Sequence, residues 1–354
     1  MSVSKVYFQN NKFPIKSWKG YYCLSPFVRV QITIDGSVRL CGCGAWMPIT
    51  VGNILKSTLV EILSSPIAQQ VRQSIIDGTY EYCNEKQCGI IINNQLNTVD
   101  KVPPNILPLL DDSYKFVMPY EISLHGDQIC NLSCPSCRTH VIKNSPEQEQ
   151  HQTALGNLIY KNLFSQPTDQ RVHLMVSGTG EIFASSMLLN FLNSIDITAF
   201  PNLALSLNTN GLLAQKNWDR IQHLEKNIHK ITVSIDACKA NTYEQIRRGG
   251  SWKQLLSSIK FLQERCNQTG AKFHARMIVQ QQNYQQAVEF YDWCKSWNVD
   301  VVEYSQINNW GTWTPDEFRQ HNVFDTLHPE YQQLKQTVSN LKQLPNVWFE
   351  GMAL

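Results

Sequence analysis

Several things are scarce in this chain of 354 residues. Net charge is the first: 31 Lys and Arg against 29 Asp and Glu leave +2. Without a basic excess there is no field for sequence-blind attraction to nucleic acid or to an anionic membrane, and neither is expected as a partner. Long apolar runs are the second absence, since none approaches the roughly 20 residues of a membrane-spanning helix. The opening residues, MSVSKVYFQNNKF, lack the apolar centre of a secretion signal, so a cytoplasmic location is expected. Disorder is excluded by composition, with 42% hydrophobic and 17% charged residues. At about 150 residues per domain the length predicts two domains, or one barrel with an appendage. Cysteine, by contrast, is plentiful at eleven residues. In a chain without an export signal these thiols suit metal or redox chemistry better than structural disulfides.

The cysteines are unevenly distributed. Cys130-Asn131-Leu132-Ser133-Cys134-Pro135-Ser136-Cys137 has the spacing C-x3-C-x2-C. Three thiolates this close meet at one centre only if the loop wraps around it. Zinc sites usually take four ligands as two separated pairs. A lone triplet leaves one position open, which suits an iron–sulfur cluster with one iron free for an outside ligand. Zinc and coincidental spacing stand as the alternatives. Cys23, Cys41, Cys43, Cys83 and Cys88 crowd the first quarter of the chain. A cysteine before a hairpin, one or two on its second strand and two on a returning loop can close around a second centre; buried free thiols are the rival reading. Cys266 and Cys294 fall in helical patterns as packing residues. Cys238 follows a strand directly and is read either as packing or as facing a barrel mouth.

Residues 1–115 differ in texture from the rest of the chain. VRVQITI (28–34) alternates like a strand, Asp35-Gly36 turns it, and SVRLC returns as its hairpin partner. Leu55 to Arg72 carries apolar residues at helical spacing. The proline-rich KVPPNILP (101–108) reads as a linker. From Tyr120 onward strand and helix alternate about every 30 residues: YEISLHG, RVHLMVSG, LALSLNTNG, KITVSID, FHARMIVQ and VDVVEYSQI are the six strands. Apolar strands separated by helices predict a parallel sheet with helices outside, and in barrels of that kind the chemistry sits at the C-terminal strand ends. The cysteine triplet, 178–181, 208–211, 234–236 and 306–310 all fall there. Residues 326–354 read as one amphipathic helix and a short strand, NVWFE, packing on the barrel. The Gln-rich QQQNYQQ (280–286) is expected to be a solvated loop. Arg247-Arg248-Gly249-Gly250 is expected to end a helix.

On these residues the chain resembles the radical S-adenosylmethionine (SAM) superfamily over about 119–325. The resemblance implies a partial (β/α)6 TIM-type barrel in an α/β fold. It also implies a [4Fe–4S] cluster on Cys130, Cys134 and Cys137 as catalytic and metal ligands, with SAM on its open iron. Ser177-Gly178-Thr179-Gly180-Glu181 resembles the family motif that holds the methionine amino group, so Gly178, Thr179, Gly180 and Glu181 are implied as cofactor-binding. Ile182 stands where that motif usually has proline. Asn208 at the end of strand three belongs to the implied set, and Thr209-Asn210-Gly211 follows it as often in the family. Ser234 and Asp236 on strand four resemble ribose contacts, and Arg276 on strand five resembles the carboxylate contact. Ser136 occupies the place where the family usually has an aromatic ring near adenine. From the residues themselves, Arg276 also suits a barrel-wall salt bridge and Asp236 a helix cap.

Residues 1–115 resemble the SPASM/twitch auxiliary-cluster module, a small α+β domain, through Gly36-x4-Cys41 and VGNILKSTLVEILSSP. In most relatives the module follows the barrel; here it precedes it. The usual multi-cysteine tail is missing, which implies one auxiliary [4Fe–4S] cluster. Cys23, Cys41, Cys83 and Cys88 are the preferred ligands, with Cys43 the rival. The resemblance implies reductive SAM cleavage by a one-electron reductant such as flavodoxin or ferredoxin, followed by hydrogen abstraction from the substrate. Relatives with this module often modify ribosomally made peptides, for example by oxidative cross-linking, so a peptide is the first expectation. A sugar or amino-acid derivative is the second. An iron–sulfur or zinc protein without radical chemistry is the third.

Overall fold

The computed structural model describes residues 17–177 and 179–350. By compactness the chain forms two units. One runs to Leu124 and includes Lys161–Ser165; the other comprises His125–Tyr160 and everything from Gln166. The change of unit falls inside the strand Glu121–His125, not in the proline-rich stretch.

The first unit holds β1 (Tyr21–Tyr22), β2 (Arg29–Ile32), β3 (Ser37–Arg39), β4 (Gly52–Asn53), β5 (Asn97–Thr98) and most of β6 (Glu121–His125). β2 and β3 form the expected antiparallel hairpin, and Gly36 supplies the left-handed turn at φ +77°. β4 extends the hairpin, and β6 lies parallel to β2 with Arg29 opposite Glu121. The helical stretch expected as one element is two, Leu59–Leu63 and Pro66–Ile76. Pro66 brings no N–H and forces Ser65 into an extended conformation, so one helix must stop and another begin. Thr58 and Glu61 form a capping box on the first, and Ser65 caps the second. The stretch 101–108 is no free linker: Val102 and Ile106 are buried in the same core as Phe27, Val28 and Ile75. Three prolines reduce hydrogen-bonding capacity, but apolar residues between them anchor the segment.

In the second unit β7 (Val172–Ser177), β8 (Leu203–Thr209), β9 (Ile228–Ser234), β10 (Lys272–Val279), β11 (Val301–Gln306) and β12 (Val347–Glu350) lie side by side, all parallel. Parallel pairing requires crossovers, and the helices Ser186–Asn193, Trp252–Thr269 and Ala287–Ser296 provide them. Ile231 and Val233 on β9 and Phe273, Ala275 and Met277 on β10 are buried. The intervening Lys230, Thr232, His274 and Arg276 form a polar face. The fold is α/β with a partial TIM-type barrel, and the C-terminal strand joins its edge beside β11.

That polar face has one pivot. Glu303 is fully buried and receives Arg276 at 2.6 Å, His274 Nδ1 at 2.7 Å and Lys230 at 3.7 Å. Burial pushes its carboxyl up, but the His274 hydrogen bond and the two cations prevail and hold the pKa at about 2. A depressed carboxylate adds stability that is present above its unfolded pKa of about 4.3 and is lost as pH falls toward 2. Glu303→Gln should lower unfolding stability at neutral pH by about 3 kcal/mol, because the partly buried Arg276 and Lys230 lose their counter-charge. The wild-type advantage should shrink between about pH 4.3 and pH 2 in denaturant titrations. An equal stability gap at both ends of that range would contradict the assignment.

Candidate active site and a four-cysteine cavity

The chemistry-bearing loops of the second unit gather at the C-terminal ends of β7, β8 and β9. Cys130, Cys134 and Cys137 sit on a loop held from several sides. Leu132 N donates to Cys130 Sγ at 3.4 Å, and the Cys137 and Arg138 amides both donate to the Cys134 carbonyl at 2.9 Å. Arg138 bonds the carbonyls of Gln128 and Thr179 and reaches Cys137 Sγ at 3.4 Å. The Arg248 carbonyl accepts from Ser133 N at 3.0 Å, while its guanidinium holds Ser133 Oγ and the carbonyls of Arg138 and Thr139. The loop is thus fixed by backbone and arginines, which leaves its thiols available for another partner.

The β7 loop packs directly on it. Glu181 N donates to the Ile129 carbonyl at 2.7 Å, and Thr179 Oγ1 donates to the Asp127 carbonyl at 3.2 Å. A Cβ on Gly180 would run into the carbonyls of Asp127 and Ile129, so this close approach requires glycine. Gly178 lies outside the described residues. The Glu181 carboxylate accepts from Asn210 N at 2.6 Å, from the Thr209 hydroxyl and from Phe183 N. Burial pushes its carboxyl up against the pull of these donors. Asn210 Nδ2 bridges to Asn131 Oδ1 at 2.9 Å and lies 3.7 Å from Cys130 Sγ. Asn208 on β8 keeps its Oδ1 buried with no hydrogen-bond partner among the described residues. Burial pushes the Cys130 thiol up to about 11 and raises Cys134 as well.

At the end of β9, Asp236 adopts φ +66° and is almost fully buried. It does not cap the following helix, whose N-cap is Lys239. Instead Oδ1 accepts from Ile278 N at 2.8 Å and Oδ2 pairs with Arg247 at 2.7 Å. Asn283 Nδ2 holds the Asp236 carbonyl at 2.9 Å. Asn283 and Tyr284 are both buried, so the Gln-rich segment is a packed brace, not a solvated loop. Asn283 also holds the Ile278 carbonyl, while Gln282, Gln285 and Gln286 reach the side chains of His321, Tyr284 and Thr242. Arg247 also faces the Cys134 thiol and the Glu181 carboxylate. Burial works against its charge, but Asp236 and Cys134 hold the guanidinium protonated more firmly than usual.

The structure therefore separates two arginines. Arg276 forks onto Glu303 through Nε at 2.9 Å and Nη2 at 2.6 Å, the barrel-wall salt bridge that its strand position also suits. Arg247, expected merely to end a helix, lies within the cluster of site residues. Arg248, covered by the same expectation, braces the cysteine loop instead, and Arg138 and Asp127 escape a reading of the sequence. Arg138 comes directly after the third cysteine, which is the signal that could have marked it. Asp127 accepts from Ser185 Oγ at 2.7 Å and Ile129 N at 3.1 Å. Ser136 and Ser234 are half-buried, Ser234 lying opposite Arg276 in the β9–β10 register.

In the first unit Cys23, Cys41, Cys83 and Cys88 line one cavity of about 130 Å³, together with Trp46 and Tyr80. Cys43 is not among its lining residues. Burial, reinforced by the neighbouring thiols, pushes Cys41 up to about 12 and Cys83 well above the usual range. Tyr80, at φ +51°, donates its hydroxyl to the Tyr21 carbonyl at 2.8 Å and accepts from Cys23 N at 3.0 Å. Among the described residues, no three His, Cys, Asp or Glu side chains are grouped as for a single metal ion. The four thiols surround a space instead, the disposition that fits a multi-iron cluster, and only a cationic centre relieves their mutual repulsion as thiolates. Because these thiols are held protonated, cluster loading should release protons and run faster as pH rises from about 7 to 9. The growth of charge-transfer absorbance during anaerobic reconstitution checks this; a rate independent of pH would contradict it.

Among the described residues no helix is long and apolar enough to cross a membrane. Residues 23–89 match the SPASM iron–sulfur cluster-binding domain. The chain is 28% identical over 131 residues to a GTP 3',8-cyclase of Lactiplantibacillus plantarum, covering 34% of this chain and 36% of the relative. It is 29% identical over 124 residues to the FeMo cofactor biosynthesis protein NifB of Methanocaldococcus infernus, covering 33% and 39%. It thus spans little more than a third of the length of those two relatives. SuiB of Streptococcus suis bound to S-adenosylmethionine superposes with TM-score 0.43 at 17% identity, covering 65% of this chain and 47% of that one. The chain thus carries a SPASM iron–sulfur cluster-binding domain at residues 23–89 and, in its cysteine loop and in these partial similarities, resembles the radical SAM superfamily.

Proposed function

We propose that this protein uses SAM and a [4Fe–4S] cluster to abstract a hydrogen atom from a substrate, and that the substrate is a ribosomally made peptide. The observation that carries the first part is the convergence of the cysteine loop, Glu181, Asn210, Asp236 and Arg247 at the C-terminal strand ends. Cys130, Cys134 and Cys137 would hold the cluster. When bound, cluster and SAM together supply one-electron cleavage to a 5′-deoxyadenosyl radical.

The chain's own residues do the positioning. Arg138 and Arg248 fix the loop so that the three thiols present together. Arg247 offers a guanidinium to the SAM carboxylate, with Asp236 orienting it and Arg276 kept on Glu303. Glu181, already fixed by Asn210 and Thr209, accepts from the α-ammonium group. Asn208 Oδ1, buried without a partner, is a further acceptor for a bound polar group. Packed loops around these groups exclude water that would quench a radical.

Cys23, Cys41, Cys83 and Cys88 would hold the second cluster, which would supply either an acceptor for an electron from the substrate radical or a substrate-binding centre. The peptide assignment rests on the resemblance to SPASM-containing maturases. Incubation with a deuterated candidate peptide tests it: deuterium should appear in 5′-deoxyadenosine. Transfer only from a deuterated sugar, nucleotide or amino-acid derivative would overturn the peptide reading and retain the radical chemistry.

A further inference from the structure

The four-cysteine cavity is lined mainly by apolar side chains, and among the described residues Arg29 is the one charged side chain that lines it. Four thiolates around a [4Fe–4S] core carry net negative charge, and reduction adds another. A fixed cation at the wall therefore stabilises the reduced state over the oxidised one, more strongly in a poorly solvated cavity than in water.

The chain builds Arg29 into place. Its Nε donates to Glu121 Oε2 at 2.7 Å, and its Nη2 bonds the same oxygen. The parallel register of β2 and β6 sets these two residues opposite each other. Its Nη1 lies where a Cβ on Gly42 would approach to 2.6 Å, so the glycine between Cys41 and Cys43 admits the guanidinium. Gln31 Nε2 holds the Gly42 carbonyl at 3.0 Å from the same strand. Glu121 is not among the cavity's lining residues. The pair is thus oriented with its positive member toward the cysteines and its negative member behind.

We propose that Arg29, held by Glu121, is the charge-compensating residue of the second cluster and raises its reduction potential so that it accepts an electron more readily. This inference rests on the assignment of that cavity to a cluster, and the test separates the two. In the full chain with Cys130, Cys134 and Cys137 replaced by alanine, the remaining iron reports on this cavity alone. Loss of all iron there would overturn the cavity assignment itself.

With iron retained, the midpoint potential is measured by EPR-monitored redox titration. Arg29→Gln should make reduction about tenfold less favourable, a shift of about −59 mV for one electron. Glu121→Gln removes the opposing charge and should shift the potential upward by a smaller amount, and Arg29→Lys should stay within about threefold of the parent. Opposite shifts from the two glutamine variants support the proposal. Shifts of the same sign, or none, would overturn it. Should Arg29→Gln fail to assemble, Glu121→Gln against Arg29→Lys decides: an upward shift in the first with little change in the second supports it, and no upward shift overturns it. A merely structural Arg29 would alter iron content in both variants without this reversal of sign.

Discussion

Replacing Cys130, Cys134 and Cys137 together with alanine should abolish SAM cleavage and remove about half of the iron, from roughly eight atoms per chain to about four. The reasoning is local. These three thiols share one loop, braced by Arg138 and Arg248 through backbone carbonyls that the substitution leaves in place. The loop should therefore stay folded while losing its ligands. The four cysteines of the first unit are untouched and lie in a cavity of their own. Iron and acid-labile sulfide analysis, set beside circular dichroism, reads both outcomes. Retained cleavage would refute the role of the loop, and loss of all iron would overturn the assignment of a second cluster to the first unit's cavity.

The second large effect is expected at Arg247. Arg247→Met should weaken SAM binding roughly ten- to a hundredfold, the range for losing a hydrogen bond to a charged group. It should also lower stability by about 3 kcal/mol, since Asp236 is buried and loses its counter-charge. Arg247→Lys retains the charge but not the fork and should recover only part of the affinity. Arg276→Met serves as the comparison. Its guanidinium is committed to Glu303, so its loss should reduce stability while changing SAM affinity far less. Affinity is read from the SAM-induced change in the EPR spectrum of the reduced cluster. A larger loss of affinity in Arg276→Met than in Arg247→Met would reverse the assignment.

These two arginines also show what the sequence could and could not disclose. Strand positions from Glu121 to Gln306 were legible because runs of Val, Ile and Leu alternate with amphipathic helices, and the cysteine spacing is local. The hairpin at Asp35-Gly36 was legible because turn chemistry is short-range. Arg276 and Arg247 could not be ranked, because Glu303, which claims the first, lies on the next strand, and Cys134, which meets the second, lies more than a hundred residues earlier. Long-range charge pairing leaves no periodic trace. The split at Pro66 was readable in principle, since Ser65-Pro66 is a helix-start signal that apolar spacing concealed. Burial of the Gln-rich brace was not, because amides that pair with distant side chains and carbonyls look the same in sequence as amides in water. Cys41 and Cys43 differ by two positions; the Gly36-x4-Cys41 spacing favours Cys41 by resemblance, and Cys41, not Cys43, lines the cavity.

The most direct test is formation of 5′-deoxyadenosine by the anaerobically reconstituted full chain, reduced with dithionite and supplied with SAM. The account predicts a brown protein that yields 5′-deoxyadenosine and methionine, and a Cys130, Cys134 and Cys137 variant that yields neither. A colourless protein that holds one zinc, or an iron-replete protein that leaves SAM intact, would contradict it.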